Sequence, residues 1–91
     1  MMKLPPLNSL PVFESVAGLL SFSKAADERN LSQSAVSHQI RQLENYLGEP
    51  LFERKGRKTT MTEQGKQFYE TVYATLTTLE RGSEEIKGIP S

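Results

Sequence analysis

Residues 21–41 have the sequence SFSKAADERNLSQSAVSHQIR, in which two helical patterns are separated by a short turn. Asn30 follows the first pattern, and asparagine tolerates the left-handed conformation that ends many helices. Ser32 comes two residues later and is a favoured N-cap residue for the second helix. Two short helices joined by such a turn are typical of a helix-turn-helix motif, which we predict over about residues 22–41.

The second helical pattern extends from about Gln33 to Leu47, and Gly48 ends it. At 100° per residue, its apolar side chains fall on one narrow stripe: Val36, Ile40, Leu43 and Leu47. The opposite face carries short hydrogen-bonding side chains and one arginine: Ser34, Ser37, His38, Arg41 and Asn45. In a helix-turn-helix motif, the N-terminal residues of such a helix contact base edges in the major groove. A lone histidine on a polar face is more often simply solvated, so only the motif favours contact by His38.

A further helix is predicted before the motif, because apolar residues recur there at spacings of three and four and should form one buried stripe: Leu10, Phe13, Ala17 and Leu20. Asn8 or Ser9 is expected to cap this helix, and Gly18 suits its end or a late kink. Ser21 or Ser23 is expected to cap the next helix. The buried side of that helix carries Phe22, Ala25 and Ala26, and the small alanine pair allows close helix crossing.

A β-hairpin is predicted after the motif, beyond the helix-breaking Pro50. Residues 51–54 and 58–61 are short strand-compatible runs on either side of Lys55-Gly56-Arg57. Four of the five residues from 54 to 58 are basic: Arg54, Lys55, Arg57 and Lys58. Such a charge run is most often a solvated turn, but after a helix-turn-helix motif it indicates a wing that contacts DNA phosphates or a minor groove.

A long helix is predicted from residue 63 to residue 87, with Thr62 as its cap. One series of its residues recurs at alternating spacings of three and four, the pattern of a coiled-coil seam: Tyr69, Val72, Leu76, Leu79, Ser83 and Ile86. The residues predicted to dimerise are Tyr69, Val72, Tyr73, Leu76, Leu79 and Ile86. Packing of this helix on its own domain is the alternative, but a small domain offers little surface to cover about seven turns. Residues 88–91 are expected to form a disordered tail.

The composition allows one small domain and provides few of the residues that an enzyme site uses. The chain has 91 residues, one histidine and no cysteine, and no pair of acids on a rigid site is predicted. We therefore predict no catalytic residues, no metal site and no cofactor. No apolar run approaches the length of a membrane span and the start has no apolar signal core, so a cytoplasmic location is expected. The net charge of zero combines a basic first part, residues 1–62, with an acidic remainder.

The chain resembles the N-terminal DNA-binding domain of LysR-type transcriptional regulators over about residues 5–87. The motifs that carry the resemblance are LNSL (7–10), FE (13–14), SFSKAA (21–26), LSQSAVSHQI (31–40), LE (43–44), LG (47–48), LFER (51–54) and MTEQG (61–65). The opening and residues 37–40 also resemble the subgroup that contains glycine-cleavage activators. The resemblance implies a mainly α winged helix-turn-helix domain at 5–62, followed by a linker helix at 63–87 that pairs two copies.

The resemblance also implies a DNA-binding surface and an effector-binding domain in longer family members. The predicted DNA-binding residues are Ser23, Lys24, Ser32, Gln33, Ser34, Ala35, Ser37, His38, Arg41, Arg54, Lys55, Arg57 and Lys58. The expected function is sequence-specific binding of double-stranded DNA by a homodimer, on an interrupted palindrome, at the bacterial nucleoid. Full family members continue into an effector-binding domain, which this sequence lacks, so a small-molecule effector is expected only in a longer chain. The alternative function is a winged-helix module for protein interaction, which has no need for a basic hairpin beside a polar helix.

Overall fold

A computed structural model of the protein describes residues 2–88. Its elements, in chain order, are α1 (Ser9–Leu19), α2 (Phe22–Arg29), α3 (Gln33–Leu47), β1 (Phe52–Lys55), β2 (Lys58–Met61) and α4 (Glu63–Lys87). This order confirms the predicted mainly α fold with a short hairpin and a long C-terminal helix. Of the predicted tail, Gly88 forms the C-cap of α4, and residues 89–91 lie outside the described residues.

Three hydroxyl side chains begin the helices α2, α3 and α4, as expected. The Ser21 hydroxyl accepts a hydrogen bond from the Lys24 backbone N–H at 3.1 Å. Ser32 accepts one from the Ala35 N–H at 3.1 Å, and Thr62 accepts one from the Gly65 N–H at 3.0 Å. Each bond satisfies an amide that has no partner within the helix, so local sequence alone fixes these helix starts.

The end of α1 differs from the prediction. The helix continues through Gly18 to Leu19, and its C-cap is Leu20, which adopts the left-handed conformation with φ of 50°. Leu20 is 46% exposed, so its placement on the buried stripe was wrong. Because α2 begins with the cap at Ser21, the reversal of the chain falls on Leu20 itself. At the start of α1, Asn8 makes no side-chain cap bond, and the Ser9 hydroxyl donates to the Pro6 carbonyl at 2.6 Å.

The two strands pair antiparallel, with Phe52 opposite Met61 and Lys55 opposite Lys58. Lys55 thus belongs to β1, and the turn is the two-residue loop Gly56-Arg57 rather than the three residues predicted. Gly56 has φ of 61°, which the tight turns of two-residue hairpins require and which glycine adopts without strain.

One aromatic side chain of α1 lies at the centre of the core. Phe13 is fully buried, and its ring centroid is 5.5 Å from those of both Phe52 and Phe68. Tyr69 approaches the same ring edge-on at 6.4 Å. Phe13 therefore joins α1 to β1 and to the first half of α4. This packing sets the position of the hairpin relative to the helices.

Candidate nucleic-acid interface

Helix α3 presents its polar face to solvent because its apolar stripe is buried. Val36, Ile40 and Leu43 are all at most 2% exposed, as the helical wheel predicted. The predicted contact residues on the other side divide into two groups. Exposed residues of the predicted set on α3 are Gln33, Ser34, His38 and Arg41, whereas Ala35 and Ser37 are half-buried.

The predicted contact residues at the two helix starts have structural roles as well. Ser32 is exposed, but its hydroxyl oxygen is already the N-cap acceptor of α3. At the start of α2, Ser23 and Lys24 are both exposed, and the Ser23 hydroxyl lies 3.2 Å from that of Ser21. These caps hold the N-termini of α2 and α3 in place, with their free side chains at the surface.

The four basic residues of the hairpin are exposed. Within residues 2–88 none of them forms an ion pair, and the ion pair that is present joins Lys66 to Glu63 at 3.7 Å on α4. Lys55 and Lys58 are directly opposite in the register, and like charges in that arrangement destabilise a hairpin. The hairpin therefore concentrates positive charge that the domain itself does not neutralise.

A cleft joins this hairpin to α3. It has a volume of ≈ 180 Å³ and is lined by Phe22, Ser37, Ile40, Arg41, Glu44, Phe52 and Arg54. Arg41 from the polar face of α3 and Arg54 from the hairpin thus border the same cleft. The guanidinium carbon of Arg54 lies 4.0 Å from the centre of the Phe22 ring, a cation–π distance. Sequence reasoning missed this role of Phe22, since a helical stripe marks it only as a core residue.

Glu44 has a structural role at the edge of the same cleft. Its Oε2 accepts a hydrogen bond from the Leu51 backbone N–H at 2.7 Å, which ties α3 to the chain entering β1. The sequence suggested Glu44 only through the family resemblance. Its carboxylate fixes the hairpin relative to α3, so the two predicted DNA-binding elements have a defined separation.

The residues predicted to dimerise on α4 fall into two groups, one packed against the domain and one exposed. Val72 is 2% exposed and lies in the core of its own domain, and Tyr69 and Leu76 pack half-buried against that core. Burial raises the pKa of the Tyr69 phenol, and the nearby Glu14 carboxylate raises it further. The rest of the set stays uncovered: Tyr73, Leu79 and Ile86 are 55%, 64% and 90% exposed.

The described part of the chain offers neither a cluster of metal-binding side chains nor a membrane-spanning helix. Residues 2–88 hold no group of three or more histidine, cysteine, aspartate or glutamate side chains placed to bind a metal ion. None of the described helices is long and apolar enough to span a membrane.

Residues 7–66 match the protein family described as "Bacterial regulatory helix-turn-helix protein, lysR family". The glycine cleavage system transcriptional activator homolog of Haemophilus influenzae is 50% identical over 84 residues, covering 92% of this chain and 28% of that protein. The glycine cleavage system transcriptional activator of Escherichia coli K12 is 49% identical over 67 residues, covering 74% of this chain and 22% of that protein.

A solved structure with the same fold contains DNA. The BenM DNA-binding domain in complex with catB site 1 DNA superposes with a TM-score of 0.85 at 34% sequence identity. The match covers 90% of this chain and 92% of that one. By contrast, the chain spans between a fifth and a third of the length of the two curated relatives it matches.

Proposed function

The chain belongs to the lysR family of bacterial regulatory helix-turn-helix proteins, and we propose that it binds double-stranded DNA sequence-specifically to regulate transcription. The family membership confirms the resemblance found in the sequence, and relatives named as glycine cleavage activators agree with the finer one. The observation that carries the proposal is the cleft where Arg41 of α3 and Arg54 of the hairpin meet. It brings a polar helix face and a basic wing to one surface, and the similar BenM domain is named as a DNA complex.

In the proposed complex, α3 enters the major groove with its N-terminal residues at the base edges. The short side chains of Ser34 and Ala35 let the backbone approach closely. Gln33 is exposed at the first turn, where its amide can bind adenine through two hydrogen bonds. Arg41 lies two turns further on, where its guanidinium can reach guanine or a phosphate.

Replacement of Gln33 by alanine should change which bases are preferred. Loss of a good base contact costs about 1–3 kcal/mol at that position and little on other sequences. Selection of bound sequences from random duplexes, with the unchanged protein and with Gln33→Ala, measures the change. Gln42→Ala is the matched control, because Gln42 is also exposed on α3 but lies outside the predicted contact face. If Gln33→Ala weakened all sequences equally, Gln33 would instead position the backbone.

The wing is proposed to bind phosphates, on the backbone or at a minor groove. Phosphate binding displaces condensed counterions, so the affinity falls as salt rises. Arg57 lies in the two-residue turn of the hairpin and is exposed, so its charge is available to a phosphate.

Arg57→Ala should flatten the dependence of log affinity on log salt by roughly 2, since each lost phosphate contact contributes about 0.9 and a dimer has two wings. The affinities for specific and random duplexes should fall by similar factors. Fluorescence anisotropy titrations over a range of salt concentrations give the slope. Arg81→Ala removes an exposed arginine from α4 and should leave the slope unchanged. An unchanged slope for Arg57→Ala with altered base preference would show that Arg57 reads a groove instead.

The proposed active form is a homodimer joined through α4, which places two α3 helices on an interrupted palindrome. The exposed residues Tyr73, Leu79 and Ile86 are the apolar side chains available for the second copy. Small-molecule sensing would belong to a longer protein of the relatives' length. We place the protein in the bacterial cytoplasm at the nucleoid, where its DNA would be, and we propose no catalytic activity for it.

Selection of bound duplexes from a random pool is the decisive test of the whole proposal. A single enriched motif with two related half-sites would support it. Recovery of no motif, together with no affinity for DNA at low salt, would contradict it and favour the protein-interaction alternative.

A further inference from the structure

An aromatic ring of α2 supports an arginine of the wing. Phe22 is 6% exposed, and its ring meets that of Phe52 edge-on, with centroids 5.8 Å apart and planes at 74°. The Arg54 guanidinium lies over the same Phe22 ring at 4.0 Å. The ring is therefore held in the core and has a cation over its face. This contact restricts the position of an otherwise exposed and flexible side chain.

The charges around the cleft favour an anion within it. Arg41 and Arg54 line it from two elements, together with the Ser37 hydroxyl. Glu44 also lines it, but its Oε2 is engaged by the Leu51 N–H. Within residues 2–88, neither arginine forms an ion pair that would neutralise it. Two guanidinium groups against one carboxylate leave the cleft with a positive charge.

We propose that this cleft holds one DNA backbone phosphate between Arg41 and Arg54, and that Phe22 is the positioning residue for Arg54. The inference rests on the proposed function: with α3 in the major groove and the wing beyond it, a backbone strand must cross the cleft between them. A guanidinium hydrogen-bonds through its edge and stacks through its face. Arg54 can thus stack on Phe22 and keep its N–H donors directed at a phosphate. Phe22 acts on DNA only through Arg54.

A double-mutant cycle tests this coupling. The proteins are the unchanged chain, Phe22→Leu, Arg54→Ala and the double variant. The probe is a short random-sequence duplex, and fluorescence anisotropy at low salt measures the affinity of each protein for it. Phe22→Leu should weaken binding about fivefold when Arg54 is present, because the apolar volume remains but the ring face is lost. It should have almost no effect when Arg54 is already alanine. Phe22→Tyr, which keeps the ring, should bind as tightly as the unchanged protein.

The cycle itself controls for a loss of stability, because Phe22→Leu and the double variant lose the same packing around Phe22. Circular dichroism at the assay temperature confirms that each protein is folded, and Phe22→Met replaces Phe22→Leu if the latter does not fold. Equal weakening by Phe22→Leu in both backgrounds would overturn the positioning role. If Arg54→Ala kept full affinity for the duplex while Arg57→Ala weakened it, phosphate binding in the cleft would be overturned. The proposed function would remain intact. No binding by the unchanged protein would contradict the proposed function itself.

Discussion

Gly65→Ala should destabilise the domain by about 3 kcal/mol, at the upper end of what overpacking a core costs. Gly65 is buried in the first turn of α4, where a Cβ atom would overlap the backbone carbonyl oxygen of Leu51 and lie 3.0 Å from its carbonyl carbon. That carbonyl cannot yield easily, because it accepts a hydrogen bond from the Thr62 N–H at 3.0 Å and Leu51 is 1% exposed. The melting temperature should fall by roughly 15 °C in a chain of this size.

Gly82→Ala is the matched control for this prediction, since it makes the same change in the same helix. A Cβ atom at Gly82 meets nothing within 4 Å. Alanine is favoured over glycine in a helix interior by about 1 kcal/mol, so this variant should be slightly more stable than the unchanged protein. Thermal unfolding of both variants at one protein concentration provides the comparison. Equal melting temperatures for Gly65→Ala and the unchanged protein would show that α4 can move away from Leu51.

The pair Leu79→Asp and Ile86→Asp should convert the proposed dimer into a monomer and weaken binding to a two-half-site duplex about a hundredfold or more. Both side chains are exposed on one side of α4, so aspartate there costs the isolated domain little. In a dimer the new carboxylates would be buried without partners, which is strongly unfavourable. A monomer also loses the gain from two linked half-site contacts, which is typically about 10²–10⁴ in affinity.

Arg81→Asp controls for charge, because it lowers the net charge by as much as the two new aspartates together. Arg81 is exposed and lies about 200° around the helix from Leu79. Sedimentation equilibrium should show a dimer for the unchanged protein and for Arg81→Asp, and a monomer for the double variant. A monomeric unchanged protein at tens of micromolar would contradict dimerisation through α4.

Val72 is unsuitable for this experiment, although the seam pattern of the sequence includes it. It is buried against its own domain, so Val72→Asp would unfold the protein whether or not a dimer forms. The spacing of apolar residues on α4 is the same where the helix covers α1 and where it extends beyond it. Periodicity therefore identifies the apolar face of a helix, but it does not show whether the helix's own domain or a second copy covers that face.

Local signals in the sequence determined the starts of α2, α3 and α4 and most of the turns. The caps at Ser32 and Thr62 each act on an amide three residues later, and Asn30 and Gly48 adopt the left-handed conformation that ends a helix. Hydrogen bonds and backbone preferences of this range depend only on neighbouring residues. The polar face of α3 follows equally, because the helical repeat places it opposite the buried stripe. Even so, the left-handed residue that ends α1 proved to be Leu20, not a glycine.

The tertiary structure alone decided which distant residues meet. The contact of Gly65 with the Leu51 backbone, the burial of Val72 and the stacking of Arg54 on Phe22 each join segments at least ten residues apart. Such contacts depend on how the helices and the hairpin pack around Phe13, since close packing fixes which side chains have room and which are covered. The sequence thus determined the elements and their polar and apolar faces, whereas packing decided which surfaces remain exposed for the proposed contacts with DNA and a second copy.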